Sequence, residues 1–468
     1  MEICAVVMAA GEGRKMKSKH SKVVHRAAGK PLIRWVADAL NGIGAKEQLY
    51  IVGYRQEEVR EVLGEEVAFV LQEQQLGTGH AVMQAAPFLE GRNGITVVLP
   101  GDAPMITTET LQNALDCFLK NGDDALVITA NTSAPTGYGR IVRNEDGKIW
   151  KIVEESEAEE EHRKICDINS SFYFFKTSLL LSALGKLAAH NHHQQYFLTD
   201  TIETMINEGC KIGEYMTDFD EVRGVNDRIE LQYAGKLLNL RNCHRLMLDG
   251  VQIIDPESTW IDDQVEIGMD TVIRPNTVLR GKTVIGEDCV IGPQSQLENV
   301  TVGNETTIIH SAASDCQIGN SCRIGPFSHI RPQRVLRNSI TIGAFVEVKN
   351  SSIGDYSRAR HLAYIGDAQV GRNVNFGCGT ITCNYDGQDK SDCRIGDNVF
   401  IGGNSNLISP VTLHDDSYVA AGSTITEDVP ELSLAIGRTP QTNKENWVVL
   451  RHRHRGGKEI PPEKESDI

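Results

Sequence analysis

The sequence has no long apolar run, no paired-cysteine motif and no excess of positive charge. No apolar stretch among the 468 residues approaches the ~18 residues that a membrane-spanning helix needs, so we expect no membrane insertion. The 11 cysteines include no Cys-x-x-Cys pair, which favours a reducing compartment over a disulfide framework. The formal net charge of −16 argues against nonspecific nucleic-acid binding. The first residues lack the basic head and cleavage site of a signal peptide, so we expect a cytoplasmic protein.

Aliphatic residues recur at intervals of six through most of the second half of the chain. A period of six fits neither an α-helix nor an isolated strand, and it is typical of a parallel β-helix built from short strands. Each hexad then lays one strand on one face, points its aliphatic residue into the core, and turns the corner at a small residue or glycine. From residue 252 to 437 we expect about ten coils of three hexads. The three longest series are Ile267, Ile273, Leu279, Ile285, Ile291 and Leu297; Ile318, Ile324, Ile330, Leu336, Ile342 and Val348; and Ile395, Ile401, Leu407, Leu413, Val419 and Ile425.

The first half alternates apolar, strand-like runs with helical stretches. The alternation predicts an α/β fold with a mostly parallel sheet, whose ligands bind at the carboxyl ends of the strands. The strand-like runs are 3–10, 49–54, 67–72, 95–102 and 125–130, and helical stretches between them include 107–120 and 177–189.

Two candidate binding elements follow predicted strands of this region. Gly11 and Gly13 come directly after the first strand, where bare backbone amides can surround phosphate oxygens. Lys15 and Lys22 nearby favour an anionic ligand, although a solvated basic loop is the alternative. Asp102 ends a later strand, in a position that suits a metal ligand or an ordinary turn.

The β-helix pattern is interrupted where its unusual side chains lie. The period slips between 348 and 353 and between 365 and 370, and it is lost between 382 and 395. A scaffold gains nothing from a histidine and a lysine at such positions. His361, close in sequence to Lys349, is therefore a candidate general base.

Short motifs along the first half resemble those of the sugar-1-phosphate nucleotidyltransferases. With the hexapeptide β-helix added, the chain resembles the bifunctional N-acetylglucosamine-1-phosphate uridylyltransferase/glucosamine-1-phosphate N-acetyltransferase family. The resemblance implies an α/β nucleotidyltransferase domain (Rossmann-like), a linker helix and a left-handed parallel β-helix. The motifs are MAAGEGRKM (8–16) with Ser21-Lys22-Val23, LGTGHA (76–81), PGDAP (100–104), PTGYGR (135–140), IVEE (152–155), Asn169 and GVND (224–227).

The resemblance implies a uridylyltransferase site that takes UTP, N-acetylglucosamine 1-phosphate and Mg²⁺. Lys22 is implied as a catalytic residue, and Asp102 with Asn226 as the ligands of the metal. Lys15 stands where the family has arginine, and Ser170-Ser171 stand where it has Thr-Gly. The residues implied to bind UTP and the UDP-sugar are Met8, Ala9, Ala10, Gly11, Lys22, Gln72, Gly77, Thr78, Pro100, Gly101, Asp102, Gly139, Glu154, Asn169 and Asn226.

The resemblance also implies an acetyltransferase site in the β-helix, completed between the subunits of a homotrimer. There His361 would remove a proton from glucosamine 1-phosphate as its amine attacks acetyl-CoA. The residues implied to bind the sugar are Arg331, Lys349, Tyr364 and Asn375, and those implied to bind acetyl-CoA are Cys378, Asn384, Tyr385, Gly403, Ala421 and Arg438.

Helix-forming residues between 227 and 250 predict a linker helix that divides the chain into two domains. We expect a uridylyltransferase domain at 1–226 and an acetyltransferase β-helix at 251–468, with a polar tail from about 441 that is disordered from Arg451. The polar segment 190–193 contains three histidines, and we favour a solvated turn there over a metal site.

Two other functions are compatible with parts of the pattern. A single-activity nucleotidyltransferase would use the β-helix only for assembly or regulation, but it would not need His361 and Lys349. A noncatalytic trimeric scaffold would need neither Asp102 with Asn226 nor Lys22. The bifunctional transferase accounts for both sets of residues.

Overall fold

The computed structural model describes residues 2–189 and 195–454, which fall into two compact units, Met1–Asn299 and Val300–Ile468. No helix in the described ranges is long and apolar enough to cross a membrane. The predicted turn at 190–193 and the part of the tail after residue 454 lie outside the described residues.

The first unit contains a nine-stranded, mostly parallel sheet, as predicted. Its order is β11-β7-β10-β6-β1-β4-β5, with β8 and β9 attached through β10. The pairs β1–β4, β1–β6, β4–β5 and β7–β11 are parallel, whereas β10 runs antiparallel to β6 and β7. Strands β2 and β3 form a separate two-stranded sheet. The strands are β1 (Glu2–Ala9), β2 (Arg26–Ala27), β3 (Lys30–Pro31), β4 (Glu47–Val52), β5 (Ala68–Leu71), β6 (Gly94–Pro100), β7 (Ala125–Asn131), β8 (Gly139–Arg143), β9 (Ile149–Val153), β10 (Asp167–Lys176) and β11 (Ile212–Thr217).

Helices cover both faces of this sheet, which explains the unbroken apolar run of β1. Successive residues of β1 point to opposite faces, so Val7 belongs to one buried cluster and Val6 to the other. The helices are α1 (Leu32–Gly42), α2 (Gln56–Leu63), α3 (Thr78–Met83), α4 (Ala86–Leu89), α5 (Thr108–Asn121), α6 (Glu160–Arg163), α7 (Thr177–Leu184), α8 (Asp200–Asn207), α9 (Phe219–Val222) and α10 (Arg228–Leu248), and single 3-10 turns occupy Arg14–Met16, Lys22–Val24 and Glu155–Glu157.

The predicted linker helix is α10, and it packs against the first β-helical coils of the same unit. Its start is capped by the side chain of Asp227, which accepts the amides of Ile229 and Glu230. Asn239 donates to the carbonyl of Thr259 at 2.8 Å and accepts the amide of Ile261 at 2.7 Å. The coil strands of this unit are Gln252–Ile253, Trp260–Ile261, Glu266–Ile267, Val272–Ile273, Val278–Arg280, Val284–Ile285, Val290–Ile291 and Gln296–Glu298.

The second unit is a parallel β-helix of three sheets, which confirms the prediction from the six-residue period. The first sheet contains Thr307–Ile308, Arg323–Ile324, Thr341–Ala344, Arg358–His361, Asn375–Phe376, Phe400–Ile401, Tyr418–Val419 and Leu434–Ala435. The second contains Ala312–Ser314, His329–Ile330, Glu347–Lys349, Tyr364–Gly366, Ile381–Cys383, Asn406–Ile408 and Thr424–Ile425. The third contains Thr301–Val302, Cys316–Ile318, Arg334–Leu336, Ser352–Ile353, Ala368–Val370, Cys393–Ile395 and Val411–Leu413.

The predicted aliphatic positions of the second unit are buried in its axial core, as expected. The glycines that follow many of these aliphatic positions are required by the close stacking of the coils, rather than by the backbone conformation at a corner. At Gly343 an added Cβ would lie 1.9 Å from the carbonyl oxygen of Arg360 in the next coil, so close stacking excludes a side chain. Corner residues with positive φ include Phe327 and Phe345, which are not glycines.

The last described segment is the helix α11 (Trp447–His454). The prediction of disorder from Arg451 is therefore wrong for residues 451–454, which complete this helix. Apolar residues at its start, Trp447 to Leu450, supply the helix-forming segment that the polar composition of the tail concealed.

Candidate functional site

A cavity of about 540 Å³ opens at the carboxyl ends of β1 and β6, where an α/β sheet is expected to bind its ligand. Every residue predicted to bind UTP or the UDP-sugar lines it, except Gly101. The Gly101 amide instead donates to the carbonyl of Met8 at 2.9 Å, which joins the ends of the two strands. The predicted residues that line the cavity are Met8, Ala9, Ala10, Gly11, Lys22, Gln72, Gly77, Thr78, Pro100, Asp102, Gly139, Glu154, Asn169 and Asn226.

At the centre of the cavity, two side-chain oxygens converge on one cationic group. The Lys22 ammonium donates to Asp102 Oδ2 and, at 3.0 Å, to Asn226 Oδ1. The side chains of Lys22 and Asp102 are only 14% and 18% exposed, so this charge pair is largely shielded from water. The amide of Val225 donates to the Asp102 carbonyl at 2.8 Å and holds the loop that carries Asn226 beside β6.

These two oxygens also suit a magnesium ion. Mg²⁺ prefers carboxylate and amide oxygens, and it often has few protein ligands while phosphates and water supply the rest. In the described residues no group of three or more His, Cys, Asp or Glu side chains could hold a metal. A metal at Asp102 and Asn226 would therefore depend on oxygens from its substrate.

The glycine loop after β1 brings its backbone close to Lys22. Gly13 has φ +63°, and an added Cβ would lie 2.7 Å from Lys22 Cβ, so glycine is required there. Lys15 lines the cavity and is exposed. Arg14 instead pairs with the exposed carboxylate of Glu12.

The segment from Gln72 to Thr78 forms another part of the cavity wall. Gln72 donates to the carbonyl of Gly77 at 3.2 Å, and Thr78 Oγ1 accepts the amide of Leu198 at 3.0 Å. At Gly77, with φ +108°, an added Cβ would lie 2.4 Å from the carbonyl oxygen of Tyr196. Sequence reasoning missed Gln75, whose side chain donates to the Ala10 carbonyl at 2.7 Å and ties this wall to the glycine loop.

Another part of the cavity lining carries a half-buried acid, Glu154, and a buried amide, Asn169. Burial raises the pKa of Glu154 above its usual value, although a 3.1 Å hydrogen bond from Thr199 Oγ1 opposes the shift. Asn169 donates to Tyr173 Oη at 2.7 Å, and the β10 ladder is irregular just after it. Ser171, in that irregular segment, has φ +66°, a conformation that favours glycine.

In the second unit, Lys349 and Asn384 meet at a residue that sequence reasoning missed. Asp367 accepts from Lys349 Nζ at 3.1 Å and from the side-chain amides of Asn350 and Asn384. Burial alone would raise the pKa of Asp367, but the Asn350 and Asn384 amides and the Lys349 ammonium lower it below its usual value. The sequence feature that could have indicated Asp367 is its position inside an interruption of the six-residue period, between 365 and 370.

Of the other residues predicted to bind the sugar, Arg331 and Tyr364 lie in coils adjacent to Lys349, and Asn375 lies in another sheet. Ile330 pairs with Val348, so Arg331 and Lys349 are neighbours in successive coils. Arg331 forms an exposed 3.0 Å ion pair with Glu347, which in turn pairs with Tyr364 in the next coil. Asn375 is half-buried and pairs with Arg358 in the first sheet.

The candidate base, His361, is exposed at the end of its strand. The cavities of about 540, 1220 and 330 Å³ are lined by neither His361 nor Lys349. Within one copy of the chain, His361 therefore lies on an open surface, whereas the Lys349 side chain is 19% exposed and bonded to Asp367.

The residues predicted to bind acetyl-CoA form two groups. Four of them follow one edge of the coils, where the carbonyl of Cys378 accepts the Asn404 amide at 2.6 Å and an added Cβ on Gly403 would lie 3.2 Å from it. The Gly403 carbonyl accepts the amide of Gly422 at 2.8 Å, beside Ala421 and Arg438. Asn384 and Tyr385 lie in the loop that interrupts the period, where Tyr385 bridges to Lys390.

Comparisons with known proteins match both regions of the chain. The MobA-like NTP transferase domain matches residues 5–195, and the bacterial transferase hexapeptide (six repeats) matches residues 392–427. A protein of Acetivibrio thermocellus named "Bifunctional protein GlmU" is 48% identical over 458 residues, covering 98% of this chain and 99% of the relative. Proteins of the same name from Geobacillus sp. (strain WCH70) and Caldanaerobacter subterraneus subsp. tengcongensis are 50% and 48% identical, and cover 95% and 96% of this chain and 97% and 98% of their own length.

Proposed function

Since the chain belongs to the GlmU family of bifunctional enzymes, we propose that it makes UDP-N-acetylglucosamine by two transfers at two separate sites. The chain is a transferase with acetyltransferase and uridylyltransferase activities. The acetyl group passes from acetyl-CoA to glucosamine 1-phosphate, and the uridylyl group then passes from UTP to N-acetylglucosamine 1-phosphate. The relatives match nearly the whole chain and are named as bifunctional, which argues against a single activity or a scaffold.

The uridylyl transfer belongs to the cavity around Lys22. A phosphate oxygen of the sugar attacks the α-phosphorus of UTP, and the bond to pyrophosphate breaks. Because both reactants are anions, Lys22 and the backbone amides of the glycine loop lower their repulsion. Asp102 and Asn226 would hold Mg²⁺, which supplies further neutralisation of the phosphates when bound. The single observation that carries this assignment is the Lys22 ammonium between Asp102 and Asn226 inside the cavity.

The remaining cavity walls divide between the two substrates. We assign the uracil to Gln72, Gly77 and Thr78, which lie together on one wall. The sugar is assigned to the part of the lining where the half-buried Glu154 and the buried Asn169 offer hydrogen-bonding groups beside the backbone of Gly139.

The acetyl transfer belongs to the β-helix. His361 Nε2 or Nδ1 removes a proton from the amine of glucosamine 1-phosphate while the nitrogen attacks the thioester carbon. The carbon–sulfur bond then breaks, and the imidazolium returns the proton to the sulfur, so that coenzyme A leaves as its thiol. Lys349 and Arg331 hold the sugar phosphate. Asp367 holds Lys349 in place by the 3.1 Å contact to its ammonium.

We propose that the active assembly is a homotrimer, in which a neighbouring copy covers the open surface at His361. Hexapeptide repeats are consistent with oligomerisation. Exposed apolar residues stack at one corner of successive coils, with the rings of Phe327 and Phe345 5.4 Å apart and Leu362 next to His361 in sequence. Such a row is a candidate for a surface buried by association.

This association can be tested by charge substitution. Phe345→Glu should lower the mass measured by sedimentation and abolish acetyl transfer while uridylyl transfer persists. Tyr356→Glu is the matched control, because Tyr356 and Phe345 are each 60% exposed in the same unit. Parental mass and parental acetyl transfer in Phe345→Glu would contradict the proposed surface.

The functional boundaries and the compartment complete the proposal. We place the uridylyltransferase domain at 1–226, the linker helix at 227–250 and the acetyltransferase domain at 251–468, because Asp227 caps the start of α10. A cytoplasmic location is supported by the eleven cysteines, all of which are free. The product would serve synthesis of the bacterial envelope.

Two assays on the same purified protein test the two sites. Pyrophosphate release from UTP and N-acetylglucosamine 1-phosphate should fall to a small but measurable residual rate in Lys22→Met and be kept in His361→Ala. Thiol release from acetyl-CoA and glucosamine 1-phosphate should show the reverse pattern. Unchanged thiol release in His361→Ala would refute its role as the base.

A further inference from the structure

The turn that carries Lys22 has little stabilisation of its own. The 3-10 turn Lys22–Val24 is closed by two backbone hydrogen bonds of 3.3 Å, from Val24 to Ser21 and from His25 to Lys22, both longer than the usual 2.9–3.0 Å. Ser21, which precedes the turn, makes no side-chain cap, and its buried hydroxyl has no partner among the described residues. The position of Lys22 therefore depends on contacts from other elements.

One such contact comes from a carboxylate on α2. Glu58 Oε2 accepts the backbone amide of Ser21 at 2.8 Å, and Glu58 Oε1 lies 3.1 Å from His20 Nδ1. Ser21 is fully buried, so its amide has no water to replace this acceptor. In a capping box, a glutamate of the same helix accepts the amide of the capping residue; here a glutamate of a neighbouring helix does so.

The contact is charge-assisted at neutral pH. Burial alone would raise the pKa of Glu58, but the Ser21 amide and His20 lower it below its usual value, so the carboxylate is ionised. Hydrogen bonds to an ionised acceptor are stronger than those between neutral groups. Glu58 also lies in the first turn of α2, where a negative charge is favoured by the helix dipole.

We propose that Glu58 is a positioning residue for uridylyl transfer: it fixes the Ser21 amide, and thereby holds the Lys22 ammonium inside the cavity, beside Asp102 and Asn226. Glu58 does not line the 540 Å³ cavity, and it acts through Lys22 without touching substrate. This inference rests on the proposed role of Lys22 in that reaction.

The test uses the full-length enzyme, with pyrophosphate release and thiol release measured on the same preparations. Glu58→Ala should lower kcat for uridylyl transfer by roughly ten- to one hundredfold, the factor expected for loss of a charged hydrogen bond. The KM for N-acetylglucosamine 1-phosphate, whose sugar ring is assigned to Glu154 and Asn169, should change little. Glu58→Gln retains an acceptor oxygen for Ser21 and should recover most of kcat.

Two controls separate positioning from general damage. Glu57→Ala removes an exposed carboxylate from the same turn of α2 and should match the parent in both reactions. Thiol release should be parental in every Glu58 variant. If Glu58→Ala proves poorly folded, the Glu58→Gln enzyme still decides: a kcat lowered a few-fold with parental thiol release supports the proposal, because the neutral acceptor binds the Ser21 amide less strongly, and either a parental kcat or a loss as large as that of Lys22→Met overturns it.

A double-mutant comparison then isolates the route through Lys22. If Glu58 acts by placing Lys22, adding Glu58→Ala to Lys22→Met should cause no further loss of pyrophosphate release. Independent, multiplying losses would overturn the positioning role. Parental kinetics in Lys22→Met would instead overturn the proposed function of Lys22, whereas parental kinetics in Glu58→Ala alone would overturn only the inference about Glu58.

Discussion

Replacing Asp367 with asparagine should weaken acetyl transfer far more than uridylyl transfer. The Asp367 carboxylate is 5% exposed and faces three donors, from Lys349, Asn350 and Asn384. An asparagine offers a single acceptor oxygen and turns its own donors towards groups that already donate. The Lys349 ammonium, 19% exposed, would lose its counter-ion and move towards solvent.

The size of the effect follows from this geometry. Removing one partner of a buried ion pair costs about 3–5 kcal/mol, and the partial exposure of Lys349 reduces the cost here to about 2–3 kcal/mol of folding free energy. Displacing a phosphate-binding lysine should lower kcat/KM for glucosamine 1-phosphate by roughly ten- to one hundredfold. Since the pKa of Asp367 is lowered, the stabilisation is complete above the unfolded pKa and is lost only as the pH falls below about 4. The kinetic loss should therefore be constant from pH 6 to 9.

The measurement is thiol release as a function of sugar phosphate concentration, with pyrophosphate release as the internal standard. Asp389→Asn removes an exposed charge from the nearby loop and serves as the matched control. An Asp367→Asn enzyme with parental kcat/KM would refute the argument, and so would an equal loss in both reactions.

Three further substitutions have defined outcomes. Ser171→Gly should stabilise the protein by about 0.5–1 kcal/mol in urea unfolding, because Ser171 has φ +66°. The control Ser170→Gly should destabilise the protein, because Ser170 Oγ donates to the Ile128 carbonyl at 2.5 Å. A Ser171→Gly protein less stable than the Ser170→Gly protein would contradict the strain argument. Burial, with Glu203 and Glu157 nearby, raises the pKa of Asp200 to about 6, so its contribution to stability is present below about pH 4 and is lost as the pH rises through 6. Asp200→Asn should therefore be about 1–3 kcal/mol more stable than the parent at pH 8 and equal to it near pH 4. A gain in stability that does not vary with pH would contradict this prediction. Lys15→Arg should raise kcat/KM for UTP by roughly two- to tenfold, because a guanidinium can make bidentate hydrogen bonds to a phosphate. The control Lys19→Arg should leave kcat/KM unchanged. A Lys15→Arg enzyme no faster than the parent would contradict the assignment of Lys15 to phosphate binding.

Two kinds of position were predicted most reliably from the sequence: the buried positions of the six-residue repeat and the ligand positions at the ends of parallel strands. The six-residue period reports a structural repeat directly, so the buried positions Ile324, Ile342 and Val348 could be named in advance. Asp102 could be placed because the end of a parallel strand is a known ligand position. The antiparallel strands β8 to β10 were not foreseen, since their apolar pattern does not reveal the direction of pairing.

Residues that act through a partner far away in the sequence could not be identified from the sequence pattern. Asp367 contacts Lys349 one coil away, and Glu58 contacts Ser21 across two separate elements. Such contacts depend on tertiary packing, which neither spacing nor composition encodes. The strained conformation of Ser171 likewise becomes visible only once β10 is seen to lose its regular register after Asn169.

The loop that carries Asn384 and Tyr385 leaves the strand register on either side of it intact. Ile353 pairs with Val370 and Val370 with Ile395, although the second pair is separated by the whole loop. Chain length in the exposed part of this loop, beyond Asn384 and Tyr385, can therefore change without shifting the register of the stacked coils. A foreign peptide grafted after Gly387 should accordingly be displayed without unfolding the β-helix.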